Sequence, residues 1–137
     1  MSWLVDTIVL SELRKGPRGH PRVQVWGAAT HDEDLFTSVL VLGEIQRGID
    51  SIRRRDVPSA LALEQWLHRL TDNFSDRILP IDSSIAMRWG ALNVPDPLPT
   101  VDGLLAATAL VHDLTLVTRN TRDVERTGVR MFDPFLS

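Results

Sequence analysis

Thr100-Val101-Asp102-Gly103-Leu104-Leu105-Ala106-Ala107-Thr108-Ala109-Leu110 reads as the opening of a buried helix. Three alanines and one glycine in these eleven residues keep its surface low, so it can lie close against a sheet. One carboxylate, Asp102, falls in the first turn. The positive end of the helix dipole favours an acid there, and that alone would account for it. Three other stretches give Asp102 a second meaning. Asp6 ends the first apolar run, Glu44 lies in an apolar helix, and Asn120 and Asp123 follow the last strong strand. The expectation is that the fold gathers these groups around a divalent metal.

Working outward, Trp3-Leu4-Val5 is too short for a helix and reads as a buried strand. It stops at Asp6-Thr7, where Thr7 can N-cap a helix over Ile8–Lys15 that Gly16-Pro17-Arg18-Gly19 terminates. A strand running into a helix begins a βα unit, and ligands of open α/β sheets sit at the carboxyl ends of the strands. Asp6 is at such an end. A second helix is expected from Pro21 to His31, then the acidic turn Asp32-Glu33-Asp34 and a strand Leu35-Phe36-Thr37. Ser38 caps a helix to about Ile52, whose apolar positions 41, 42, 45, 49 and 52 repeat with a period near 3.6. Glu44 borders that stripe, followed by Arg47 and Gly48. Arg53-Arg54-Arg55-Asp56 is a solvated corner or, on the rival view, an RNA-contact patch. Pro58 opens a helix running to about Phe74 with Ala60, Leu61, Leu63, Trp66, Leu67 and Leu70 inward.

The second half repeats the alternation. Arg77–Ile81 is the third strand, and Asp82 caps a helix over Ser83–Leu92 that carries Ile85, Met87, Trp89 and Leu92. The proline-rich Asn93–Pro99 is an extended connector. The helix that opened this section ends near His112-Asp113, Leu114–Thr118 is the fourth strand, Arg119–Asp123 a loop, and Val129–Phe132 the fifth strand. Strands alternating with helices predict an α/β fold, a parallel sheet with helices on both faces.

The totals narrow the class. At 137 residues the chain suits one domain, 1–137, with a real core. No apolar run approaches the roughly 18 residues of a membrane span. The N-terminus lacks a basic region and reads as a strand, not a signal peptide. The absence of cysteine excludes a disulfide framework and a thiolate metal site, and fits a cytoplasmic protein. A net charge of -3 excludes a globally basic nucleic-acid binder. Of the 15 basic residues only Lys15 is a lysine. Arginine suits phosphate contacts, although GC-rich codon usage gives the same skew.

Carboxylates brought together need a cation. Two of them about 5 Å apart repel by roughly 3 kcal/mol at an effective dielectric near 20. A divalent ion reverses that sign, and hard oxygen ligands without His or Cys favour Mg²⁺ or Mn²⁺ over Zn²⁺. Such a cluster suits hydrolysis of a phosphodiester. No rival nucleophile is evident: there is no cysteine, no tyrosine and no Gly-x-Ser-x-Gly, and His20, His31, His68 and His112 are scattered.

Leu4-Val5-Asp6-Thr7, Ser38–Gly48 around Glu44, Val101-Asp102 with Ala106-Ala107-Thr108-Ala109, and Val117-Thr118-Arg119-Asn120 occur in an order and spacing that resembles PIN-domain ribonucleases. The resemblance is to the toxin subunit of VapBC-type toxin–antitoxin pairs in particular, and it covers nearly the whole chain. It implies a three-layer α/β/α sandwich around a mainly parallel sheet of about five strands. It also implies Mg²⁺-dependent endoribonuclease activity with Mn²⁺ as a substitute, a homodimer, and inhibition by a cognate antitoxin. Asp6 and Asp102 match the family's metal-binding acids and Glu44 its third acid. Thr7 and Ser38 match small hydroxyl residues near the site. Asn120 departs from the pattern, since many members carry an acid there, and Asp123 could supply the missing charge. Arg119 is a candidate phosphate contact or a structural strand-end arginine. Two other functions compete. One is an RNA- or partner-binding module silenced at Asn120. The other is a phosphoryl-accepting or phosphatase α/β domain, which would want Asp-x-Asp after strand one and a lysine nearby; here Asp6 is followed by Thr7-Ile8, and Lys15 closes the first helix.

Overall fold

The structure, a computed structural model, describes residues 1–136. Strand β1 (Trp3–Val5) leads into α1 (Thr7–Arg14) and α2 (Pro21–Ala28), and β2 (Leu35–Ser38) into α3 (Val39–Arg53) and α4 (Val57–Phe74). Strand β3 (Ile78–Leu79) is followed by α5 (Ser83–Leu92) and α6 (Thr100–His112), and β4 (Thr115–Val117) by α7 (Thr121–Val124) and β5 (Met131–Phe132). All four strand pairings are parallel and the order is β3-β2-β1-β4-β5. Helix α1 packs on α2 and α3, and α3 on α4; α5 packs on α6, and α6 on α7. This is the α/β/α sandwich expected from the alternation of strands and helices. Among the described residues no helix is long and apolar enough to cross a membrane.

The strand order decides where a ligand can go. The chain steps from β1 outward to β2 and β3, then crosses back to β4 on the other side of β1. The direction of winding therefore reverses between β1 and β4, and the connections leave a crevice at their carboxyl ends. The sequence closes the sheet tightly beneath it. Leu4, Val5 and Val117 are fully buried, and so are Ala106, Ala107 and Ala109 on α6. Gly103 sits in a tight place, where a Cβ would stand 3.2–3.3 Å from the Leu98 and Trp89 side chains and press on them. Helix α6 ends where Asp113 turns left-handed at φ 56°, its carboxylate 2.9 Å from Arg130.

Local chemistry corrects several boundaries. Helix α2 stops at Ala28, not His31: Ala29 is its C-cap, the Thr30 N–H reaches back only three residues to Gly27, and His31 is extended. Arg77 lies outside β3. Its guanidinium reaches the carbonyls of Leu35 and Asn73, both at 2.6 Å, and joins the end of α4 to the start of β2. Leu61 and Met87 are exposed, at 49% and 70%, since each falls off the buried stripe of its helix. The segment Arg119–Asp123 is not all loop: Thr121–Val124 forms the short helix α7. At the arginine corner, Arg53 pairs with Asp50 and Glu64, while Arg54 and Arg55 stay exposed.

Candidate active site

Register places the first acid. Val5 pairs with Val117, so Asp6 and Thr118 emerge side by side from the carboxyl ends of β1 and β4. Asp6 is 5% exposed. Its Oδ1 accepts the Val9 N–H at 3.2 Å, and its Oδ2 accepts the Thr118 hydroxyl. Asp6 is thus the N-cap of α1, a role the sequence assigned to Thr7. The cap residue must be extended, and Asp6 has φ -87° and ψ 176°. Thr7, one residue into the helix, instead donates its hydroxyl to Glu44 Oε1 at 2.5 Å. Burial pushes the Asp6 carboxyl up to about 6, against the two hydrogen bonds and with help from the charges of Asp102 and Glu44.

The second acid is half-buried in the first turn of α6. Burial raises the Asp102 carboxyl, and the charges of Asp123 and Glu44 push the same way; the neighbouring Asn120 side-chain amide opposes them. Asn120 stands at the N-cap position of α7 but makes no side-chain capping bond, which leaves its amide free to face Asp102. Its backbone N–H donates to Thr118 Oγ1 at 3.1 Å. Thr118 therefore links Asn120 to Asp6.

Asp6, Thr7, Glu44, Arg47, Asp102 and Asn120 line one cleft of about 470 Å³. That is a volume fit for a nucleotide-sized ligand. Asp123 does not line it, although its charge raises the Asp102 carboxyl. Ser38 caps α3, its Oγ accepting the Leu40 N–H at 3.1 Å, and does not face the cleft. Arg119 is drawn away, its guanidinium 4.4 Å from the Phe135 ring centre. None of the four histidines lines the cleft, and Lys15 pairs with Glu12 at 3.1 Å. Among the described residues no three acidic or histidine side chains converge closely enough to hold an ion as they stand. The sequence carries Thr118 only inside the Val117–Asn120 element, with no role of its own. The signal was there only as a polar residue closing an apolar strand, and it acquires meaning through its pairing beside Asp6.

A protein-family model described as PIN domain matches residues 3–129. The chain belongs to the PIN-domain family. Among curated relatives, Toxin FitB of Neisseria gonorrhoeae is 32% identical over 139 aligned residues, spanning 96% of this chain and 97% of FitB. VapC ribonuclease Y4jK of Sinorhizobium fredii is 26% identical over 140 residues, with 96% of each chain covered. Among solved structures, a chain of the crystal structure of FitAcB from Neisseria gonorrhoeae superposes with a TM-score of 0.90 at 28% identity, covering 98% of this chain and 99% of that one. In this PIN domain the cleft acids come from both helical layers, Glu44 from α3 and Asp102 from α6, and meet Asp6 at the point where the winding reverses.

Proposed function

We propose that this PIN domain is a metal-dependent endoribonuclease and serves as the toxin of a toxin–antitoxin pair. The observation that carries the reading is the meeting of Asp6, Glu44 and Asp102 in one cleft at the carboxyl ends of β1 and β4. Relatives named as a toxin and as a ribonuclease along nearly their full length support it.

The donor set fits a hard divalent ion. Carboxylate, amide and hydroxyl oxygens line the cleft without His or Cys, and the Asp6 and Asp102 carboxyls are both raised, first by burial and then by neighbouring acids, Glu44 among them in each case. Two carboxylates with water completing the shell suit Mg²⁺, which dehydrates reluctantly. Asp6 and Asp102 would hold it, with Glu44 as a third ligand or bound through a water. When bound, the ion supplies charge stabilisation at a phosphoryl oxygen and acidity to water. Glu44, one oxygen fixed by Thr7, keeps the other free to orient the attacking water. Thr118 holds Asp6 in register. Thr118→Val should weaken Mg²⁺ binding by about 10- to 100-fold, as losses beside metal ligands do, and Thr118→Ser should restore it; titration calorimetry measures both.

The direct test is cleavage of labelled RNA by the purified chain with Mg²⁺ and with EDTA. Fragments that vanish in EDTA support the reading, and cleavage indifferent to EDTA contradicts it. Asn120, uncharged in the cleft, keeps the silent binding module as the second reading. For an active enzyme Asn120→Asp should tighten Mg²⁺ by about tenfold at most, roughly 1.4 kcal/mol. Activity appearing only in the variant would favour the binding module. The toxin role and its protein partner are tested by expression. The chain alone should arrest growth, and a co-expressed antitoxin should restore it by offering an arginine to the cleft carboxylates. A homodimer belongs to the same reading.

A further inference from the structure

Six of the fourteen arginines are engaged within the chain. Arg14 lies over Trp66, Arg119 over Phe135, Arg53 pairs with Asp50 and Glu64, Arg130 pairs with Asp113, and Arg77 and Arg126 bind backbone carbonyls. Arg47 is different. It is the one cationic side chain lining the acidic cleft among the described residues, and it forms no ion pair, although Glu44 stands one turn before it on α3. A surface Glu and Arg at that spacing are within reach of each other. Here Glu44 is engaged by Thr7 instead, and Arg47 is left facing the cleft.

A second observation lies one residue on. Gly48 sits in the interior of α3 and lines the same cleft. A glycine in mid-helix weakens it relative to alanine, and such a residue needs a reason. Nothing within the chain supplies one, since a Cβ at Gly48 would meet no atom within 4 Å. Gly43 on the same helix is equally open, but only Gly48 opens onto the acidic cleft, where the space can admit a group from outside the chain. Glu44, Arg47, Gly48 and Ser51 fall at i, i+3, i+4 and i+7, a single face of α3 roughly 10 Å long at 1.5 Å per residue.

We propose that this face of α3 carries the phosphodiester backbone of the RNA strand beside the scissile bond, with Arg47 gripping the neighbouring phosphate and Gly48 letting the strand lie against the helix. The inference rests on the ribonuclease reading and extends it from the reacting group to the strand. Along this face a phosphate is favoured because Arg47 attracts it, whereas the antitoxin arginine proposed above would pair with the Asp6 and Asp102 carboxylates.

The test is steady-state cleavage of a labelled single-stranded RNA in Mg²⁺ by wild type, Arg47→Ala, Arg47→Lys and Gly48→Ala. Arg47→Ala should raise KM about tenfold with kcat within about threefold, and should lower the salt dependence of kcat/KM by about 0.7 in log–log slope, one phosphate contact on a single strand. Arg47→Lys should fall between. Gly48→Ala should raise Tm and yet raise KM, a combination that a purely structural glycine does not give. The Mg²⁺ concentration for half-maximal rate should not move in Arg47→Ala. A cleaving wild type that Arg47→Ala matches in KM and salt slope overturns this inference and leaves the ribonuclease reading standing. The same result with antitoxin inhibition lost assigns the face to the partner protein and also overturns it. A wild type that cleaves no RNA overturns the ribonuclease reading and this inference together.

Discussion

Asp6→Asn should lose metal-dependent RNA cleavage by about a thousandfold, the loss of several kcal/mol of charge stabilisation, and should still fold. Both halves follow from one side chain. Asp6 sits buried at the end of β1 beside Thr118 and faces Asp102 and Glu44, so removing its charge removes half of the pair proposed to hold the ion. Asparagine caps helices as well as aspartate, so the Val9 N–H keeps its acceptor.

The pH dependence of stability separates this account from simple damage. The folded Asp6 carboxyl is raised from 3.8 to about 6. Between those values the folded chain holds a proton that the unfolded chain has released. Metal-free stability therefore falls as pH rises through this window, by about 3 kcal/mol once the pH is above 6. Asp102, also raised, adds to the fall in the same direction. Urea unfolding of the metal-free protein at pH 4.5 and 7.5 should show the loss. Asp6→Asn should remove most of it and be the more stable protein at pH 7.5. An equally steep fall in the variant would show that the burial of Asp6 is not its source.

Ala106→Leu should be the most damaging change outside the cleft. Ala106 is fully buried on the face of α6 that lies on the sheet, one turn after Asp102. A leucine there overpacks a closed core at a cost of about 1–3 kcal/mol, and for a chain of this size each of those lowers Tm by roughly 3–5 °C. To make room α6 must lift, and Asp102 rides on it. A displacement near 1 Å at a reacting centre costs about 100-fold in rate, so cleavage measured well below the new Tm should still fall steeply. Met87→Leu, at a position 70% exposed on α5, should change neither quantity. A variant with lowered Tm and full activity would separate the packing of α6 from the placement of Asp102.

The contrast between these positions shows what a linear reading can reach. Asp6 and Asp102 could be placed because each is defined by its own neighbours, one closing an apolar run and one opening a small-residue helix. The alternation of strands and helices located the sheet's carboxyl edge in the same way. Thr118 and Arg47 needed the third dimension. Thr118 matters because β1 and β4, more than a hundred residues apart, pair in the register that sets it beside Asp6. Arg47 stands out only after the structure shows which other arginines are engaged. Thr7 was misread for a finer reason. Adjacent Asp and Thr both have capping side chains, and only the backbone angles decide which of them stands outside the helix. Asp123 was read as a loop residue that could turn inward; α7 holds it beside Asp102 but out of the cleft wall.

The most direct test of the central claim is to grow crystals in Mn²⁺ and compute an anomalous difference map. A peak between the Asp6 and Asp102 carboxylates, within about 2.0–2.3 Å of an oxygen of each, is the result expected of a hard-ion site. A cleft without a peak in crystals of protein that cleaves RNA in the same Mn²⁺ would contradict the assignment of these two acids as the metal's ligands.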